Sequence, residues 1–128
     1  MTRDIITTDR APAAIGPYSQ AVKTQHLVFV SGQLPIDPQS GHLVTGDIRN
    51  QTRQAMQNLG AILAAAGSSF DRIVKTTLFI ADMDQFATIN EVYAEFFTGQ
   101  PPARACVQVA RLPRDAGVEV EAVALHGQ

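Results

Sequence analysis

One cysteine, Cys106, is the only thiol in this 128-residue chain. That excludes an internal disulfide framework and makes a reducing compartment, the cytoplasm, the expected location. No stretch approaches the ~20 apolar residues of a membrane-spanning helix, so no membrane partner is expected. Met1 to Asp9 mixes charges with threonines and lacks the apolar run of a secretory signal. The net charge is -2 with a pI near 5.8, and the basic residues are scattered rather than striped. Nucleic acid is therefore not an expected partner. His26, His42 and His126 are dispersed and far in sequence from Cys106, so no metal motif is visible. The Gly-X-X-X-X-Gly-Lys and Gly-X-Gly-X-X-Gly loops that cradle phosphates are absent too. Repeats, low-complexity segments and charge blocks are missing as well. What remains, at 45% hydrophobic, suits one compact domain over residues 1–128. A domain of this size buries roughly two-thirds of its unfolded surface.

Pro12, Gly16 and Pro17 predict a shaped loop from Ala11 to Pro17 that ends at Tyr18. Leu27-Val28-Phe29-Val30 predicts a short buried strand closed by Ser31-Gly32, and the run from Ile36 to Gly41 has turn chemistry. Asp47 is placed to cap a helix in which Ile48, Thr52, Ala55, Met56, Leu59, Ile62, Leu63 and Ala66 recur at helical spacing, with Gly67 as the stop. Ile73 to Ile80 is dense in β-branched residues and predicts a strand. Asp82 or Asp84 then caps a second helix, whose stripe of Phe86, Ile89, Val92, Tyr93, Phe96 and Phe97 runs to a stop near Gly99 and Pro101-Pro102. Two strands follow. This order predicts an α+β layer with both helices on one face of the sheet. The other face is then expected to be covered by self-association into a closed homo-oligomer.

The last two strands, Pro102-Ala103-Arg104-Ala105-Cys106-Val107-Gln108-Val109 and Gly117-Val118-Glu119-Val120-Glu121-Ala122, carry a guanidinium and two carboxylates. Side chains alternate along a strand, so Ala105, Val107 and Val109 point one way and Arg104, Cys106 and Gln108 the other. Val118, Val120 and Ala122 likewise oppose Glu119 and Glu121. If both apolar rows cover one core, Arg104 and Glu119 share the opposite face. Arg104 suits a carboxylate anchor, or a structural ion pair with Glu119 or Glu121. Either glutamate in an apolar strand is a candidate proton carrier, the other being solvated edge. Cys106 beside a cation is a conceivable nucleophile, but it lacks a local base and reads better as a small inert hydrophobe. Tyr18 and Ser31 end elements next to proline or glycine. From there they reach a ligand or simply close the structure.

The blocks Ala11-Pro12-Ala13-Ala14-Ile15-Gly16-Pro17-Tyr18-Ser19-Gln20, Val30-Ser31-Gly32-Gln33-Leu34-Pro35, Val74-Lys75-Thr76-Thr77, Pro102-Ala103-Arg104 and Val118-Glu119-Val120-Glu121-Ala122-Val123-Ala124 resemble the RidA family of enamine/imine deaminases, also called the YjgF family. The resemblance runs nearly end to end. It implies a chorismate-mutase-like α+β fold with a mixed sheet, a homotrimer with clefts between subunits, and hydrolysis of 2-imino acids to 2-keto acids and ammonia without a cofactor. Typical substrates are 2-iminobutanoate and 2-iminopropanoate, reactive products of pyridoxal-phosphate dehydratases whose removal protects other pyridoxal-phosphate enzymes.

Carried over residue by residue, the resemblance implies that Arg104 grips the substrate carboxylate and Glu119 handles the proton and water. Tyr18 and Ser31 line the cleft, and Gly32 and Cys106 give backbone contacts. It selects Glu119 over Glu121 and removes the nucleophile role from Cys106, because water attacks the imine carbon. Branches of the family that lack the arginine or the acid do not share the activity; this chain has both. Two other roles attached to relatives are a trimeric ligand-binding or chaperone-like module without turnover and an RNA-cleaving translation inhibitor. The acidic balance argues against the second.

Overall fold

The computed structural model describes residues 2–127; Met1 and Gln128, the two ends of the expected domain, lie outside them. Asp47 does begin a helix, α1 (Ile48–Ala65), its carboxylate accepting from the Asn50 N–H at 3.0 Å. The helix stops at Gly67, whose φ of +78° allows Ser68 N–H to reach the Leu63 carbonyl at 2.8 Å. Every member of its predicted apolar row is buried, Met56, Leu59, Ile62 and Leu63 almost completely. Burying each such side chain contributes about 1.5–3 kcal/mol. The second helix, α2 (Phe86–Ala94), follows a single 3-10 turn capped by Asp82 and is shorter than its aromatic stripe. Phe96 and Phe97 lie past its end and pack on Phe70, with ring centroids 5.3 and 5.9 Å apart.

The sheet has six strands: β1 (Asp4–Ile6), β2 (Ala21–Lys23), β3 (Leu27–Gln33), β4 (Ile73–Ile80), β5 (Ala103–Gln108) and β6 (Val118–Leu125). Their order is β1-β2-β3-β6-β4-β5. Only β4 and β5, joined through α2, run parallel. Long β6 is therefore central, between β3 and β4. Its Val118, Val120, Ala122 and Ala124 are buried on the side that α1 covers, and Thr76, Leu78 and Ile80 of β4 continue that surface. The architecture is α+β, with both helices packed together on one sheet face. No helix among the described residues is long and apolar enough to cross a membrane.

Two sequence expectations fail here, both on strands. Ser31 and Gly32 do not close β3; they lie inside it, where its register against β6 shifts between Val30 and Gln33. The second failure concerns β5. Its pairing sets Arg104 level with buried Thr76 and Cys106 level with buried Leu78. Arg104 and Cys106 thus belong to the helix side, while Ala105 and Val107 look out from the open face, Val107 being 45% exposed. The cause is that β5 is an edge strand beyond the reach of α1. At that margin α2 offers Arg104 a place to stack, so the apolar row is not the core row. Arg104 and Glu119 consequently lie on opposite faces of the sheet.

Candidate active site

The open face carries a groove of about 680 Å³, and five of the residues singled out above line it: Tyr18, Ser31, Gly32, Glu119 and Glu121. Each is set by local chemistry. Buried Gln20 clamps the loop before Tyr18: its Oε1 accepts from Thr8 N–H at 2.7 Å and its Nε2 donates to the carbonyls of Thr8 and Pro12 at 3.0 and 2.8 Å. Gly16, with φ +124°, makes the turn that lifts Tyr18, which is 51% exposed with its hydroxyl accepting from Ile15 N–H at 3.4 Å. Ser31 N–H donates to the Gln20 carbonyl at 2.9 Å, and Ser31 Oγ donates to the Ser19 carbonyl at 2.5 Å. Loop and strand are thereby stitched together.

Gly32 matters because of what it touches. A Cβ there would stand 2.7 Å from Glu119 Oε2 and 2.8 Å from its Cδ. The carboxyl group therefore lies directly against the Gly32 backbone, within the irregular part of β3. Glu119 is half-buried and makes no ion pair among the described residues. Burial first, and the negative charge of Glu121 second, raise its pKa above the ordinary carboxylate value. Glu121 points the same way but is exposed. The environment thus separates two glutamates that strand alternation leaves equivalent.

Arg104 forms a second, separate recess on the helix side. Its guanidinium lies 5.4 Å from the Phe86 ring centroid and 5.1 Å from that of Tyr93, and Nη1 donates to Asn90 Oδ1 at 2.6 Å. Tyr93 is held in turn by a 2.7 Å hydrogen bond with Thr76. The guanidinium is fixed yet has donors to spare for a carboxylate. A structural ion pair with Glu119 or Glu121 does not occur within one chain. Asn90, which braces Arg104, is a residue of this recess that sequence reasoning missed; one polar residue at the edge of an apolar helical stripe gave no signal. Cys106 sits beside Arg104, half-buried, and burial raises its pKa against the opposing pull of the arginine charge. Burial therefore favours the thiol over the thiolate.

Within one protomer, then, Tyr18, Ser31, Gly32 and Glu119 converge, while Arg104 and Cys106 do not join them. Fold and groove define an α+β protein with an acid-floored cleft on its uncovered sheet face. The sequence profile described as Endoribonuclease L-PSP matches residues 8–126, and the chain belongs to that family, the RidA/YjgF family. A mouse protein named 2-iminobutanoate/2-iminopropanoate deaminase is 53% identical over 125 residues, covering 98% of this chain and 93% of its own. Escherichia coli TdcF, solved with bound serine, is 50% identical with a TM-score of 0.93, covering 97% of this chain and 99% of its own. The YjgF protein of Escherichia coli is 46% identical, also with a TM-score of 0.93, over 97% of this chain and 99% of its own.

Proposed function

We propose that this protein is a homotrimeric, single-domain deaminase that hydrolyses short 2-imino acids, 2-iminobutanoate and 2-iminopropanoate among them, to 2-keto acids and ammonia. The observation that carries the reading is Glu119: a half-buried carboxyl with raised proton affinity and no ion pair among the described residues, on the floor of an open groove. Such a group holds its proton to higher pH than an ordinary carboxyl, which suits it to carry a proton rather than to serve only as a fixed negative charge. The deaminase name borne by relatives near half identity supports the same chemistry, and the serine seen on TdcF supports a small carboxylate-bearing ligand.

Arg104 and Glu119 of one chain face opposite ways, so the active cleft in this reading is built from two copies. Arg104 of one protomer, braced by Asn90, receives the substrate carboxylate bidentately, with charge-assisted hydrogen bonds worth roughly 1.5–3 kcal/mol each. Glu119 of the neighbour orients water against the imine carbon. Water adds across C=N, its oxygen bonding to carbon while a proton passes through Glu119 to nitrogen. Collapse of the resulting amino alcohol breaks the C–N bond, leaving the ketone and releasing ammonia. General acid-base help of this kind adds ~10²–10⁴ in rate. Imines already hydrolyse readily in water, so neither a cofactor nor a metal is invoked. Clearing them would protect pyridoxal-phosphate enzymes sharing the compartment, which we take to be the cytoplasm.

Coupling a threonine dehydratase to the purified protein and following imine loss tests this reading. Arg104→Ala and Glu119→Gln should each lower kcat/KM by about a hundredfold. Undiminished rates in both variants would overturn it. The carboxylates lining the groove argue against RNA as its ligand.

A further inference from the structure

The groove floored by Glu119 and rimmed by Glu121 receives, on the reading above, a substrate that is itself an anion. Two carboxylates repel it on the way in, and Arg104 lies on the other sheet face. Among the residues lining this groove one is basic, Arg114. Three features of its setting point to a role.

Its backbone is held in an uncommon conformation. Arg114 and Asp115 have φ of 60° and 57°, a region that residues with a Cβ seldom occupy and that clusters at functional sites. The turn is closed by Asp115 N–H to the Leu112 carbonyl at 3.1 Å and Ala116 N–H to the Pro113 carbonyl at 3.2 Å. The guanidinium is pinned too, since Nη1 and Nη2 both donate to the Gly41 carbonyl at 3.1 Å across the groove rim. Its remaining donors have no partner among the described residues. Finally, its charge is not cancelled. The neighbouring Asp115 carboxylate is drawn away by Arg111, at 2.6 and 3.2 Å, and no carboxylate among the described residues pairs with Arg114.

We propose that Arg114 is the capture cation of this groove: a fixed, uncompensated positive charge on the rim that draws the carboxylate of a small 2-imino or 2-keto acid past Glu119 and Glu121. It touches the incoming ligand and not the reacting atoms, so its contribution lies in substrate capture, kcat/KM, rather than in kcat. The inference rests on the 2-imino acid reading for the identity of the ligand.

The test separates charge from hydrogen bonding. Arg114→Lys keeps the charge and loses the fork, whereas Arg114→Gln loses the charge and, its shorter amide ending before the Gly41 carbonyl, the latch as well; the salt series tells these two losses apart. Binding of 2-ketobutanoate, the reaction product, is titrated by NMR at low salt and at roughly 0.5 M salt, where the screening length falls to about 4 Å. The Gln variant should bind about fivefold more weakly than the parent at low salt, with the gap closing at high salt, and the Lys variant should stay within about twofold of the parent throughout. Equal binding by the Gln variant and the parent would overturn the proposal. So would equal losses in both variants, or a loss that ignores salt, since these follow the latch to Gly41 and not the charge. Imine turnover measured alongside keeps the two readings apart. A parent protein that binds the keto acid yet hydrolyses no imine overturns the deaminase reading and leaves the Arg114 result standing, whereas one that binds no keto acid overturns both.

Discussion

Glu119 takes its character from neighbours rather than from any special chemistry of its own. Burial against the Gly32 backbone and repulsion from Glu121 both favour its neutral form, so the folded protein holds a proton that the unfolded chain releases more readily. Its folded pKa exceeds the unfolded value near 4.5. The native state therefore binds more protons in the window just above that value, and the ionisation of Glu119 lowers stability as pH rises through it. Glu119→Gln should accordingly melt above the parent at pH 7 and lose that advantage below about pH 4; thermal melts at the two pH values check this. A higher melting point for the parent at pH 7 would contradict the assignment. Gly32 supplies the complementary case. The three atoms nearest a methyl group at position 32 all belong to the flexible side chain of Glu119, so Gly32→Ala should leave the melting temperature nearly unchanged while displacing the carboxyl. A misplacement of that size costs about a hundredfold in kcat. Full activity in the alanine variant would show that the carboxyl position is not critical.

Elements differ in how plainly their sequence declares them. The predicted α1 appears as expected because its cap, its apolar row and its glycine stop agree, and each acts over one or two turns. Strands β1 and β2 gave no signal: each has three residues and lies at or next to the sheet edge, too short for alternation to be visible. On β5 alternation was visible but misleading, since an edge strand beside the end of a helix layer need not turn its apolar row inward. Parity along β5 and β6 could not report which row faced the helices; only the pairing of Arg104 with Thr76 does so. The convergence of Tyr18, Ser31, Gly32 and Glu119 was likewise beyond spacing, because the groove joins a loop, an irregular strand and a central strand far apart in the chain. The family resemblance grouped them without that geometry. One buried polar residue of α1 also escaped notice. Asn58 donates to the carbonyls of Leu34 and Ile36 at 3.0 and 2.8 Å, tying the helix to the loop that forms one groove wall. Asn58→Ala leaves both carbonyls without this partner and should cost about 1–3 kcal/mol in chemical denaturation. A change below ~0.5 kcal/mol would mean that water replaces the amide there.

At the scale of the whole molecule, the open sheet face has its own demands. Phe29, Val107 and Leu125, 46%, 45% and 41% exposed, lie on it outside the groove. Apolar side chains arrayed on one sheet face favour a partner over water. The same face separates Glu119 from Arg104, so covering it with another copy and completing the site are one event in the proposed trimer. Subunit mixing tests that claim most directly. Arg104→Ala and Glu119→Gln proteins, each inactive alone, are unfolded together, refolded and assayed for imine hydrolysis. If every site takes its arginine from one protomer and its acid from the next, random assembly restores about a quarter of the parental activity. No recovery above either variant alone, in mixtures shown by mass to contain both chains, would contradict the account.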